Sequence, residues 1–161
     1  MIIRKTKEAD IQAAAEIYAD AKRFMAETGN PDQWSKIYPS EESIRQDIKD
    51  GISYVCEKDG EIVAVFMYKE GVDPTYVKIY DGQWLNDKPY GVIHRIAVKY
   101  PGQGIIDYCI SYCFELCKNL KIDTHTDNIP MQKALAKRGF KYCGIIYIEN
   151  GDPRIAFQKS E

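Results

Sequence analysis

Residues 91–117 read GVIHRIAVKYPGQGIIDYCISYCFELC and contain the most informative pattern of the sequence, a predicted strand, a glycine turn and a helix. Gly91 to Val98 is an apolar run that predicts a strand, and Pro101 to Gly104 supplies two glycines in a turn. A helix is predicted from there to about Asn119. A strand that delivers a glycine turn to a helix N-terminus gathers backbone N–H groups where the helix dipole also favours negative charge. The stretch is therefore compatible with a phosphate-binding loop, although a pair of glycines taken alone is more typical of a structural turn.

The residues before this unit first show the spacing of helices and then the two-residue period of strands. Thr6 is predicted to cap a first helix that stops at Gly29-Asn30-Pro31, and a short second helix is predicted to begin near Ser40 and end at Gly51. From Ile52 the period changes to two, with a turn at Asp59-Gly60, which is typical of a β-hairpin. A first strand is predicted at residues 2–4, and an irregular stretch over residues 70–89 with a partial strand at 76–80.

The part after it continues the alternation of strands and helices. A strand is predicted at residues 120–124, a helix at 128–138, and two final strands at 142–148 and 154–158 around the turn Asn150-Gly151-Asp152-Pro153. Because no linker, repeat or low-complexity stretch divides the chain, we expect one α/β domain over residues 1–161.

Composition limits the class of protein. The hydrophobic fraction of 45% and the charged fraction of 29% are typical of globular proteins, and the net charge of -2 comes from interspersed charges. We therefore expect no nucleic-acid partner. No segment approaches the roughly 20 apolar residues that span a bilayer, and the opening MIIRKTKEADIQ does not have the apolar core of a signal peptide. The expectation is a cytoplasmic protein with no membrane partner.

The five cysteines do not predict a disulfide framework, because their number is odd and no secretory signal accompanies them. Cys109, Cys113 and Cys117 recur every fourth residue on a predicted helix, a spacing that a metal site could use. Because these positions share a predicted helix face with Ile105, Ile106 and Leu116, we favour buried side chains and predict no metal.

Two motifs in the second half resemble those of the GNAT acetyltransferase family. The first is the strand Arg95-Ile96-Ala97-Val98 followed by Gly102-Gln103-Gly104-Ile105-Ile106, similar to the family's loop for the coenzyme A diphosphate. The second is Asn128-Ile129-Pro130-Met131 followed by Gly139-Phe140. The joint spacing of the two motifs makes the resemblance specific, and it spans essentially the whole chain.

The resemblance implies a fold, a reaction and a set of coenzyme contacts. The implied fold is a central, mostly antiparallel sheet, splayed at the coenzyme loop and flanked by about four helices. The implied reaction is direct attack of an amine on the thioester of acetyl-coenzyme A, held by a backbone N–H near Val98. The implied coenzyme-binding residues are Ile96, Ala97, Val98, Gly102, Gln103, Gly104, Ile105, Ile106, Asn128 and Met131.

The chain departs from the family pattern at three positions and in the length of one loop. Pro101 stands where the phosphate motif usually has Arg or Gln, Ile106 replaces its last small residue, and the loop from Val98 is about two residues shorter. Leu135 stands where the family often has a Tyr that serves as general acid. Backbone amides need no side chain to hold a diphosphate, so coenzyme binding is still expected, while the general acid is not assigned.

His94 is the candidate catalytic base. Its unperturbed pKa near 6.5 suits removal of a proton from an ammonium group, and it lies on the strand that presents the thioester. Alternation along a strand predicts that His94 and Ile96 share one face. A hydrogen-bonded structural histidine is the alternative. His125, near Asp123 and Asp127, could form a carboxylate–histidine pair or part of a metal site, but no further ligand has suitable spacing.

The acceptor side is less constrained. Trp34 and Trp84 fall in irregular segments and are predicted to bind substrate, although they could instead cover the core. Several tyrosines are possible donors: Tyr76, Tyr80, Tyr90, Tyr100 and Tyr147. A small-molecule or peptide amine is the expected acceptor, and a homodimer is compatible with the sequence. Two other classes stay open: a non-catalytic acyl-coenzyme A or protein-binding module, and an unrelated nucleotide-binding domain.

Overall fold

A seven-stranded sheet organises the residues that the computed structural model describes, which are 1–35 and 37–161. Its strands lie in the order β1-β2-β3-β4-β5-β7-β6, and every neighbouring pair is antiparallel except β4 and β5. The strands are β1 (Ile2–Lys5), β2 (Ser53–Lys58), β3 (Glu61–Glu70), β4 (Gly91–Val98), β5 (Asn119–Thr124), β6 (Lys141–Tyr147) and β7 (Pro153–Ser160). The predicted mostly antiparallel α/β fold is confirmed.

Four helices flank the sheet. They are α1 (Ile11–Glu27), α2 (Glu41–Lys49), α3 (Ile105–Cys117) and α4 (Ile129–Lys137). Ser40 caps α2 as predicted, because its hydroxyl accepts from the Ser43 N–H at 3.1 Å. Thr6 does not cap α1: its hydroxyl accepts from Ser53 Oγ at 2.7 Å, and a short 3-10 turn over Glu8–Asp10 precedes the helix. No helix among the described residues is both long and apolar enough to cross a bilayer.

The two faces of the sheet bury separate parts of the core. Helices α3 and α4 pack on one face, where Ile105, Cys109, Cys113 and Leu135 are fully buried. Leu116 is 51% exposed and so does not share the buried face of the cysteines. Helices α1 and α2 pack on the other face through apolar side chains that include Ile11, Ile17, Tyr18 and Ile44. That second face continues into a smaller cluster around Tyr76.

The predicted partial strand at residues 76–80 is wrong. Asp73 caps a 3-10 turn at Pro74–Tyr76, accepting from the Thr75 N–H at 2.9 Å. Proline fits the first position of such a turn because the turn leaves that N–H unused. Of the predicted strand, only Tyr80 pairs, in an isolated antiparallel bridge with Ile145.

Strands β4 and β5 part after two residues, and this splay positions the site. They pair only through Gly91 with Leu120 and Val92 with Lys121. Further along, β4 contains a bulge: its register with β3 shifts between Val65 and Met67, and Arg95 adopts a left-handed φ of 55°.

Candidate active site

A cleft of about 1300 Å³ opens where β4 and β5 separate. Its walls come from β4, the loop before α3, the start of α4, and the connection between α1 and α2. Of the predicted coenzyme-binding residues, Ile96, Ala97, Val98, Gly102, Gly104, Ile105, Ile106, Asn128 and Met131 line this cleft, whereas Gln103 does not.

The edge of β4 that faces the splay has unpaired backbone groups. Lys99 N donates to Val63 O at 2.8 Å, so the backbone of Lys99 is turned toward β3. Successive residues of a strand turn their N–H and C=O groups to alternate edges. The N–H of Val98 is therefore turned toward the cleft, where none of the strands described above pairs with it.

The glycine turn leads directly into the N-terminus of α3. Gly102 and Gly104 have φ of 83° and 76°, values that L side chains rarely adopt, and a Cβ at Gly104 would meet no atom within 4 Å. Gly104 is the N-cap and has no side chain to cap the helix. Among residues 1–35 and 37–161, none accepts a hydrogen bond from the N–H groups of the first turn, Ile105 to Asp107. This geometry leaves amide donors and the positive end of the α3 dipole available to an anion.

Asn128 caps α4 rather than projecting freely into the cleft. Its Oδ1 accepts from Met131 N at 3.2 Å, and its Nδ2 donates to Gln33 Oε1 at 2.8 Å. Gln33 Oε1 also accepts from Asn30 Nδ2, at 2.8 Å. The second motif is thus tied to the connection between α1 and α2.

His94 lies at the other end of the cleft between two carboxylates. Its Nε2 is 2.9 Å from Asp73 Oδ2, and its Nδ1 is 3.9 Å from Asp123 Oδ2. Asp123 comes from β5, across the splay, and its Oδ2 accepts from the Tyr76 hydroxyl at 2.6 Å. The His94 side chain is 27% exposed, whereas those of Asp73 and Asp123 are 9% and 12% exposed. The imidazole is therefore oriented by its hydrogen bond to the buried Asp73 and is open to the cleft.

Burial and hydrogen bonding set the charge of this group of residues. Burial alone would raise the pKa of Asp73, but hydrogen bonds from His94 and Thr75 outweigh it and place the pKa of Asp73 below its ordinary 3.8. Burial, followed by the charge of Asp123, raises the pKa of Tyr76 well above 10. At neutral pH, Asp73 is an anion and Tyr76 is a neutral donor.

The prediction that His94 and Ile96 share one face of the sheet is wrong, because β4 contains a bulge. His94 packs beside the Tyr76 ring at 5.9 Å between ring centroids, on the face that also buries Val92. Ile96 packs instead against the α3 face. The extra residue in the bulge reverses the alternation after His94, so His94 and Ile96 lie on opposite faces.

The two tryptophans occupy different places. Trp34 lines the cleft and contacts the Tyr18 ring edge-on, at 5.7 Å between centroids. Trp84 does not line the cleft: its Nε1 donates to Tyr76 O at 2.9 Å, and its ring packs on the Tyr76 ring and on Lys121. The structure therefore brings Trp34 to the site and places Trp84 in the packing beneath it.

Several other residues of the site were not identified from the sequence. Asp73 and Arg154 are distant from His94 in the chain, and no motif or spacing in the sequence connects either of them with it. His125 lies outside the cleft, where its Nδ1 accepts from Asp127 N at 3.0 Å. Within the described part of the chain, no three His, Cys, Asp or Glu residues are grouped to hold a metal ion.

Comparison with known proteins agrees with this geometry. The sequence model described as the acetyltransferase (GNAT) family matches residues 11–140. A solved GNAT-family acetyltransferase from Streptococcus agalactiae is 30% identical, with a TM-score of 0.91, over 99% of this chain and 95% of that one.

Two solved structures of lower identity share the fold. A GNAT-family acetyltransferase from Listeria monocytogenes is 19% identical, with a TM-score of 0.73, over 99% of this chain and 94% of that one. A ribosomal-protein-alanine N-acetyltransferase from Brucella melitensis is 20% identical, with a TM-score of 0.66, over the full length of both chains. No curated protein sequence matches this chain. On the family match and the Streptococcus structure, the chain belongs to the acetyltransferase (GNAT) family.

Proposed function

We propose that this protein transfers an acetyl group from acetyl-coenzyme A to the nitrogen of an amine by direct attack, within a single domain over residues 1–161. The observation that carries the proposal is the convergence of three features on one cleft: the free edge of β4, the uncapped N-terminus of α3, and His94 between two carboxylates.

The residues at the glycine turn suit the diphosphate of the coenzyme. The N–H groups of Ile105 to Asp107 supply donors at a helix N-terminus, a geometry that favours anions. Apolar side chains such as Ile96 and Met131 line the adjoining wall and suit the less polar arm of the molecule. In this proposal the N–H of Val98 donates to the thioester oxygen as negative charge develops on it.

His94 removes the proton from the acceptor ammonium, directly or through one water, so that the neutral nitrogen can form the C–N bond. Asp73 accepts from His94 Nε2 and stabilises the imidazolium that results. As the C–S bond breaks, the electron pair leaves on sulfur, and the second proton of the attacking nitrogen passes to the thiolate, directly or through water, to leave an amide and a thiol. A thiol with a pKa of about 8.5 leaves without a strong acid, so the buried Leu135 is no obstacle.

A non-catalytic acyl-coenzyme A-binding module is the second candidate. It is favoured by Leu135, which places a fully buried apolar side chain where the family often has its acid. Its expected behaviour differs in one respect, because such a module would bind the coenzyme and leave the thioester intact.

The test measures binding and turnover separately. Coenzyme A binding is followed by calorimetry, and thiol release from acetyl-coenzyme A is followed against a panel of small amines, amino acids and short peptides. Binding with amine-dependent thiol release supports the proposal. Binding without turnover of any acceptor would favour the binding module, and failure to bind coenzyme A would contradict both.

A further inference from the structure

Arg154 on β7 is a buried cation on the acceptor side of the cleft. The residue is 5% exposed and lines the cleft. Its Nη1 donates to Pro153 O at 2.9 Å and its Nη2 to Gln33 O at 3.0 Å, which uses two of the five N–H donors of a guanidinium. Within residues 1–35 and 37–161 it forms no ion pair, although Glu149 also lines the cleft.

Asp73 and Asp123, the carboxylates around His94, are buried anions. No Lys or Arg of the described chain pairs with Asp73 or Asp123, so His94 is their only ionic neighbour. Asp123 Oδ2 accepts from Tyr76, whereas no described residue donates to its Oδ1. A buried charge is costly unless it is paired, and a ligand can supply the missing partner.

Strand register places Arg154 and Asp123 on one face of the sheet. Asp123 of β5 lies opposite Ala156 of β7, and Arg154 is two residues further along β7. Residues two apart on a strand share a face and lie about 7 Å apart. The long Arg154 side chain and the short Asp123 side chain can therefore both reach one small molecule in the cleft.

From this arrangement, and resting on the proposed acetyl transfer, we infer that the acceptor is a free α-amino acid. Arg154 binds the α-carboxylate through its remaining donors, and Asp123 Oδ1 accepts from the α-ammonium beside His94. Arginine suits this role because its planar fork matches a carboxylate. Trp34, Met25 and Ile148 line the neighbouring wall, so the preferred amino acid has an apolar side chain.

The inference separates the α-amino acid from two other amine classes. A diamine would place its second cation near Arg154, which is unfavourable. The N-terminus of a peptide has an amide in place of the α-carboxylate and would leave the guanidinium without its anion. A substrate that leaves a buried charge of the site unpaired loses binding free energy, so the site discriminates strongly against that substrate.

The experiment compares matched acceptors. Leucine, methionine and phenylalanine are each assayed for kcat/KM beside the α-carboxamide with the same side chain, and putrescine represents diamines. A charge-assisted hydrogen bond leads us to expect a preference of about tenfold to hundredfold for each amino acid over its carboxamide. Arg154→Met should reduce that preference toward one, through KM, while the Kd for coenzyme A stays unchanged. Arg154→Lys retains the charge and should keep part of the preference.

The outcomes distinguish this inference from the function on which it rests. If carboxamides or putrescine are acetylated at least as well as the amino acids, the inference fails while acetyl transfer stands. An unchanged preference in folded Arg154→Met would also overturn it. If no amine is acetylated although coenzyme A binds, the proposed function fails and this inference with it. Should Arg154→Met not fold, the wild-type comparison and Arg154→Lys still decide the question.

Discussion

At the coenzyme end of the cleft, where we propose that the diphosphate binds, the donors we identify are backbone N–H groups, beside charged side chains such as Lys99 and the Arg138–Asp107 ion pair. At the acceptor end, where we propose that the amine binds, the polar groups around His94 are side chains. The first turn of α3 and the edge of β4 present N–H groups without using any side chain. At the other end, His94, Asp73 and Asp123 are brought together from β4, from the connection before it, and from β5. The backbone donors of α3 remain despite the departure at Pro101, because Pro101 lacks only its own N–H and Ile105 to Asp107 keep theirs. At the acceptor end, by contrast, each substitution changes which polar groups are present.

The largest effect is expected at His94. His94→Gln should lower turnover by 10²- to 10⁴-fold, the usual contribution of a positioned base, and should remove the acidic limb of the pH–rate profile. Coenzyme A affinity should stay the same, because His94 lies at the end of the cleft where we propose that the acceptor binds. His125→Gln is the matched control: it changes the other histidine of the chain, which lies outside the cleft. Equal losses in both variants would indicate a structural role for His94.

A smaller loss of turnover is expected from Asp73→Asn. The variant keeps a polar group near His94 Nε2 but removes the charge, and a hydrogen bond to a charged group is worth about 1.5–3 kcal/mol. Turnover should therefore fall about tenfold to hundredfold at constant coenzyme affinity.

Asp73→Asn should also change how the free energy of unfolding depends on pH. The pKa of Asp73 in the folded protein lies below 3.8, so its contribution to the free energy of unfolding is present above that pH and is lost as the pH falls through the lower, folded value. Wild type should lose stability in acid more steeply than Asp73→Asn in chemical denaturation at pH 5 and pH 3. Parallel pH profiles would contradict the assignment.

The coenzyme end is tested by charge at the glycine turn. Gly104→Asp places a carboxylate at the α3 N-terminus, in open space but with a left-handed backbone, and should weaken coenzyme A binding tenfold or more, about 1.4 kcal/mol. Gly104→Asn has nearly the same shape and an equal tolerance of that backbone, so it isolates the charge. Equal affinities of the two folded variants would show that the diphosphate lies elsewhere.

The same contrast explains what the sequence could predict. The β4 strand, its glycine turn and the α3 helix are encoded in one continuous stretch, and the turn at Asp59-Gly60 is local as well. Arg154 and Asp73 could not be connected to His94, because strand order and long-range packing decide which distant residues meet. The face predicted for Ile96 was wrong, because strict alternation assumes regular strand pairing and the bulge at Arg95 interrupts that pairing.

Lys121 extends the contrast to a buried charge outside the cleft, where we expect an effect on stability and none on activity. The residue is 4% exposed, and its Nζ lies 4.2 Å and 3.9 Å from the centroids of the Trp84 and Tyr90 rings. Burial lowers the pKa of Lys121 from 10.5 to about 8. Between those two values unfolding adds a proton at Lys121, so the contribution of Lys121 to the free energy of unfolding should rise as the pH increases from about 8 to 10. Burial raises the pKa of Cys109 and Cys113, and these thiols contribute in the opposite direction, so the Lys121 contribution is read as the difference between wild type and Lys121→Met. At 1.36 kcal/mol per pKa unit, the rise is at most about 3 kcal/mol.

Lys121→Met should remove that pH-dependent contribution and leave kcat and coenzyme affinity at wild-type values. Lys58→Met, at an exposed lysine, should keep the contribution. If Lys121→Met instead lowers turnover as Asp73→Asn does, the aromatic packing around Lys121 supports the acceptor site, and the contrast between a functional and a structural buried charge does not hold.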